Sequence, residues 1–181
     1  MITTFQQGIA TVPGAAAMLS YREGLVTKGA TQATLAEGMG LLGLGGLIVS
    51  DTVAVSAAEV LALNATAKVI LAAPGAGLAI IPHKVAIRKA AGTAYAGVAA
   101  GEDLVLRYTN ASGVICSDTI ETTGFLDSTS QLVAFAGRVN NGFLPTANAA
   151  VVLHLLVGEV ITGDCDLEVK VWYEIFDTTD F

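Results

Sequence analysis

Positive charge is scarce in this chain: nine Lys and Arg stand against sixteen Asp and Glu, for a formal net charge of −7 and a pI near 4.6. Such a chain repels phosphate backbones, which excludes nucleic acid as a partner. Histidine is scarcer still, with His83 and His154 the only two. His154 lies in the apolar run VVLHLLV, with no Ser, Cys or acid within three residues, so a core or interface histidine is expected there. His83 follows Pro82, and neither histidine has a nucleophile beside it, so hydrolytic catalysis is not expected. The two cysteines, Cys116 and Cys165, have neither a CxxC spacing nor a nearby histidine, which argues against a zinc site.

Long hydrophobic runs are missing too. A spanning helix needs about 20 predominantly apolar residues. Gly38–Ser50 is uncharged but holds five glycines, and Val69–Pro82 is broken by Pro74 and two glycines. Val139–Gly158 is uncharged but includes Asn140, Asn141, Pro145, Asn148 and His154. No membrane span is expected, nor a secretory signal, since no basic residue precedes Arg22.

What the chain has in quantity is small and apolar residues. Its 181 residues are 53% hydrophobic and 14% charged, with 20 glycines, and the mean hydropathy is +0.64. That is far from the signature of disorder and more apolar than an isolated monomer requires, so part of the surface is expected to lie against other subunits. From Ser56 onward, short strand patterns recur at Val69–Ala72, Leu78–Arg88, Leu104–Tyr108, Val114–Ile120, Gln131–Ala136, Val151–Val157 and Leu167–Phe176, each bounded by Gly, Pro, Asn or Asp. Leu167, Val169, Val171, Tyr173 and Ile175 alternate with Glu168, Lys170 and Glu174, which gives the last strand one wet face. The expectation is an all-β fold: a β-sandwich or jelly-roll-like domain over 51–181 with one short helix and an extended N-terminal arm over 1–50. A pair of strands at Val12–Leu19 and Leu47–Val55 is the alternative for the arm.

The stretch Ser56–Tyr95 is the most specific. Ser56 and Glu59 have the spacing of a capping box, Asn64 ends the short helix, and two apolar strands flank Pro74-Gly75-Ala76-Gly77 in what reads as a hairpin. The order of capped helix, LNAT, apolar strand, APGAG, apolar strand and a later AY, with the closing DLEVKVWYEIFD, resembles the head decoration or cement proteins of tailed bacteriophages. The resemblance runs from Ser56 to Asp177 and omits the first 50 residues.

It implies a non-enzymatic virion protein without cofactors, assembled in the host cytoplasm onto the capsid surface. Such a protein associates with itself as a homotrimer and bridges subunits of the major capsid protein. A reducing cytoplasm favours buried free thiols at Cys116 and Cys165 over a single disulfide between them. The alternatives are a tail, collar or fibre protein and, from another class, a carbohydrate-binding jelly roll, which needs clustered aromatics or acids.

The arm's apolar side chains Ile2, Phe5, Ile9, Leu41, Leu42, Leu44, Leu47 and Ile48 are candidate interface residues. So are His83, Lys84, Arg88 and Lys89, four cationic groups within seven residues, either as a solubilising strand end or as a docking patch for an acidic neighbour. Gly38-Met39-Gly40-Leu41-Leu42-Gly43 matches GxGxxG, but no strand–turn–helix pattern surrounds it, so no nucleotide is expected. Asp164, Asp166 and Glu168 beside Gly163 fit turn chemistry better than a calcium site.

Overall fold

The computed structural model describes residues 48–139 and 142–179. Among these residues seven strands and one short helix follow one another: β1 (Val49–Val55), α1 (Ala57–Ala62), β2 (Lys68–Leu71), β3 (Leu78–Lys89), β4 (Leu104–Tyr108), β5 (Leu132–Gly137), β6 (Val151–Leu155) and β7 (Leu167–Asp177). The strands form two antiparallel sheets, one of four strands in the order β1-β7-β3-β5 and one of three in the order β2-β6-β4. The all-β class expected from the strand spacing is what the chain adopts.

Both sheets and the helix feed one buried cluster. Ile80, Val85, Ile87, Val169 and Val171 enter it from the larger sheet, Leu104, Leu106, Leu153 and Leu155 from the smaller, and Val60 from α1. At about 25 cal/mol per Å² of apolar surface, burial of these branched side chains is the main force holding the sheets together. A polar tie adds direction: the Tyr108 hydroxyl of β4 donates to the Ile80 carbonyl of β3, so a fully buried phenol keeps its hydrogen bond.

The capping box forms as its spacing requires: the Glu59 amide donates to Ser56 Oγ, and the Ser56 amide donates to the Glu59 carboxylate at 2.9 Å. The carboxylate also meets the Lys68 ammonium, and that hydrogen bond leads the effects holding its pKa below the usual value. The Ala57 amide donates to Asp166 Oδ1 at 2.9 Å, which ties the helix start to the start of β7.

Two expectations fail. The strands around APGAG do not form a hairpin: β2 pairs with β6 in one sheet, and β3 pairs with β7 and β5 in the other. Pro74–Gly77 is therefore a crossover between sheets. Gly75 and Gly77 take φ of 113° and 76°, and the Gly75 amide donates to Asn148 Oδ1 at 3.2 Å. Turn residues specify a reversal but not which strand it delivers to, and two apolar runs found better partners in the buried strands β6 and β7.

The second failure is Val114–Ile120, which makes only isolated bridges, Ile115 to Arg107 and Ile120 to Leu104. Ser117 breaks the ladder by accepting the Leu106 amide on its hydroxyl at 2.9 Å. The next residue, Asp118, reaches the other sheet, donating its amide to the Gly137 carbonyl at the end of β5.

The expected boundary at 50/51 falls inside β1, since Val49 and Ser50 pair with Tyr173 and Trp172. The remainder of the expected arm, the Val12–Leu19 alternative and the GxGxxG match lie outside the described residues.

Candidate functional site: the outer face of the four-stranded sheet

The site is set by the pleat. In β7, Leu167, Val169, Val171, Tyr173 and Ile175 point inward, and Glu168, Lys170, Trp172, Glu174 and Phe176 take the opposite face. The β3 ladder matches this register up to a shift between Pro82 and Lys84, where His83 is bulged. Were His83 part of a regular ladder instead, Lys84, Ala86 and Arg88 would face the core and Val85 and Ile87 would face out.

Across the sheet, Lys84 pairs with Trp172, Ala86 with Lys170 and Phe135, and Arg88 with Glu168 and Val133. The outer face therefore carries Trp172, Phe135 and Val133 among Lys84, Lys170 and the Arg88–Glu168 pair. Phe135 is 59% exposed and Val133 48%.

The two lysines are held by rings. Lys84 Nζ lies 4.6 Å from the Phe135 ring centroid and 5.2 Å from that of Trp172, and Lys170 Nζ lies 5.0 Å from Trp172. Each contact contributes on the order of 0.5–1 kcal/mol at an exposed site. Neither lysine forms an ion pair with a described residue. Arg88, in contrast, donates to Glu168 Oε2 at 2.9 Å, and His83 Nε2 lies 3.3 Å from Glu174 Oε1, at ion-pair distance without hydrogen-bond alignment. Beyond His83 the face runs into an apolar groove of about 420 Å³ lined by Ile81, Leu144, Pro145, Phe176 and Thr178.

The structure thus splits the cationic run. His83, Lys84 and Arg88 reach the outer face or its rim, but Lys89 does not: its side chain is wholly buried. Its ammonium donates to the carbonyls of Ser128 at 2.7 Å, Ser130 at 2.9 Å and Ala90 at 3.2 Å, and Cys165 Sγ lies 3.7 Å away. Three carbonyls use all three ammonium protons, and this lysine is a structural staple. A strand's period of two explains the split, because Lys84 and Lys89 are an odd number of residues apart.

Of the expected arm contacts, Ile48 is exposed just before β1, and Ile2, Phe5, Ile9, Leu41, Leu42, Leu44 and Leu47 lie outside the described residues. Sequence reading missed Phe135 and Trp172 as a pair, since they are far apart in the chain and only the shared neighbour β3 joins them. Their one local signal was the apolar Trp172 and Phe176 on the wet face of β7.

The other candidate chemistry resolves into support for the fold. Asp164 accepts the Thr93 amide at 2.6 Å and its hydroxyl at 2.9 Å, and Asp166 accepts from Ala57, so both carboxylates bind backbone instead of converging. No cluster of three potential metal ligands occurs among the described residues. His154 is buried with Nε2 3.2 Å from the Asn64 carbonyl, and burial, aided by the nearby Arg107 charge, pushes its pKa below the usual value. Cys116 and Cys165 are free and buried, and burial pushes the Cys116 thiol up to about 12. No helix among the described residues is long and apolar enough to cross a membrane. Comparison with protein-family models found no match, and the searches of curated proteins and of solved structures returned no match either.

Proposed function

We propose that the protein is a non-enzymatic structural component of a tailed-phage virion: a decoration or cement protein on the capsid surface that bridges subunits of the major capsid protein. One observation carries the reading: the outer face of the β1-β7-β3-β5 sheet exposes Phe135, Val133 and the Lys84–Trp172–Lys170 stack in one continuous strip. An isolated soluble monomer gains nothing from such a strip, whereas a protein that reinforces a shell must bury surface across its joints. The order of elements from Ser56 to Asp177 supports the same reading through its resemblance to phage decoration proteins. Association with itself as a homotrimer, and assembly in the host cytoplasm, belong to this proposal.

The aromatic pair also meets one requirement of the carbohydrate-binding alternative, two rings on one face. Lys84 lies over both of those rings, so a sugar would have to displace it before stacking. The adjoining groove is lined almost entirely by apolar side chains, without the convergent polar groups that orient a small ligand. A shell partner fits the face better. A tail or collar location would use the same face, and location is decided by which virion part binds.

The test is co-sedimentation of the full chain with undecorated heads assembled from the shell protein of the same genome, with isolated tails as the parallel target. Saturable binding to heads at a fixed ratio is the expected result. Binding to tails alone would move the protein to the tail, and binding to neither would overturn the virion reading.

A further inference from the structure

We infer that the partner presents an extended acidic segment that adds along the free edge of β5, seating a carboxylate on Lys84 and apolar side chains on Phe135 and Val133. The inference rests on reading the outer face as a contact surface, and it names that partner's chemistry.

Three observations carry it. First, β5 is an edge strand of its sheet, and its sequence LVAFAG has neither a charge nor a proline, the usual devices that keep an edge from pairing. It pairs with β3 without a register shift, so no bulge turns the edge away. Among the described residues only its far end is closed, where Asp118 donates to Gly137.

Second, Phe135 and Val133 of this strand are among the exposed large hydrophobic residues, and they alternate on one face, which is how side-chain pockets are read when a strand is added to a sheet.

Third, charge complementarity picks the sign. Acids outnumber cations sixteen to nine in the chain, and Lys68 and Arg88 have each taken one. Among the described residues Lys84 remains without a carboxylate, and it leans toward β5 over the Phe135 ring, within reach of a long acidic side chain on an adjacent strand. Lys170 sits beyond Trp172, one strand farther from that edge, so the geometry ranks Lys84 ahead of it.

The experiment uses the full chain and fluorescein-labelled peptides that alternate valine with glutamate, glutamine or lysine, read by anisotropy and by the fluorescence of Trp172, the single tryptophan. The glutamate peptide is expected to bind best and to weaken with salt, and the lysine peptide not to bind. Lys84→Ala is expected to weaken the glutamate peptide about fivefold and Lys170→Ala about twofold, the range of exposed ion pairs. Lys84→Arg retains binding, and Phe135→Thr removes it.

Equal binding of the glutamate and glutamine peptides, or equal effects of the two lysine substitutions, would overturn the inference. So would sedimentation showing that a second copy of the chain covers the face and dissociates on Phe135→Thr. The head-binding experiment separates the two readings. Heads that bind irrespective of Lys84→Ala leave the virion role standing and remove this inference, whereas a glutamate peptide that binds while heads do not does the reverse.

Discussion

Lys84 and Lys89 belong to one strand, five positions apart, and do opposite things. Lys89 points inward, and three backbone carbonyls hold its ammonium where no water reaches. Lys84 points outward onto two aromatic rings. The same division runs through the whole four-stranded sheet. Its inner face is saturated, with apolar side chains closed against the second sheet and polar groups matched to partners. Its outer face carries rings and ammonium groups that satisfy one another only in part. The inner face answers to stability, and the outer face is the one we propose for a contact outside the molecule.

Breaking the inner face is expected to cost most. Lys89→Met strands the carbonyls of Ser128, Ser130 and Ala90 without a donor and should lower unfolding free energy by about 3–5 kcal/mol in urea titration. Gly163→Ala comes next: Gly163 has φ of 135°, and a Cβ there would lie 2.3 Å from the Tyr95 ring. A loss of about 2–3 kcal/mol is expected by the same measurement.

The His154 prediction is a slope. Its depressed pKa means the unfolded chain binds the proton more readily, so stability should fall as pH drops below about 6.5 and should be fully present above it. His154→Leu should flatten that part of the profile.

The outer-face change is expected to be smallest for stability and largest for assembly. Phe135→Thr should move unfolding free energy by about 0.5 kcal/mol or less, while removing head binding. Cys116, at about 12, should resist thiol reagents in the folded protein and react on unfolding.

Much of the inner face was legible in the sequence, because burial writes itself into period-two patterns. The alternation of β7 and the Leu104–Tyr108 strand were readable in full, and Ser56 with Glu59 fixed the helix start. Pairing was less legible. APGAG announces a turn, but whether β2 and β3 then become neighbours is settled by nonlocal competition for β6 and β7. Val114–Ile120 looked like a strand because its apolar residues are spaced for one, and Cys116 and Ile120 do reach the core, but a single hydroxyl at Ser117 diverts the ladder. The outer face was the least legible part. Its cationic run appeared as one patch until the pleat sent Lys89 inside, and the meeting of Phe135, Lys84 and Trp172 depends on a strand order that no local pattern encodes.

The most direct test compares head binding by the full chain and by the double variant Lys84→Ala, Phe135→Thr, with urea midpoints measured on the same preparations. The account predicts saturable binding by the unmodified chain and none by the variant at nearly matched stability. Undiminished binding by an equally stable variant would contradict it.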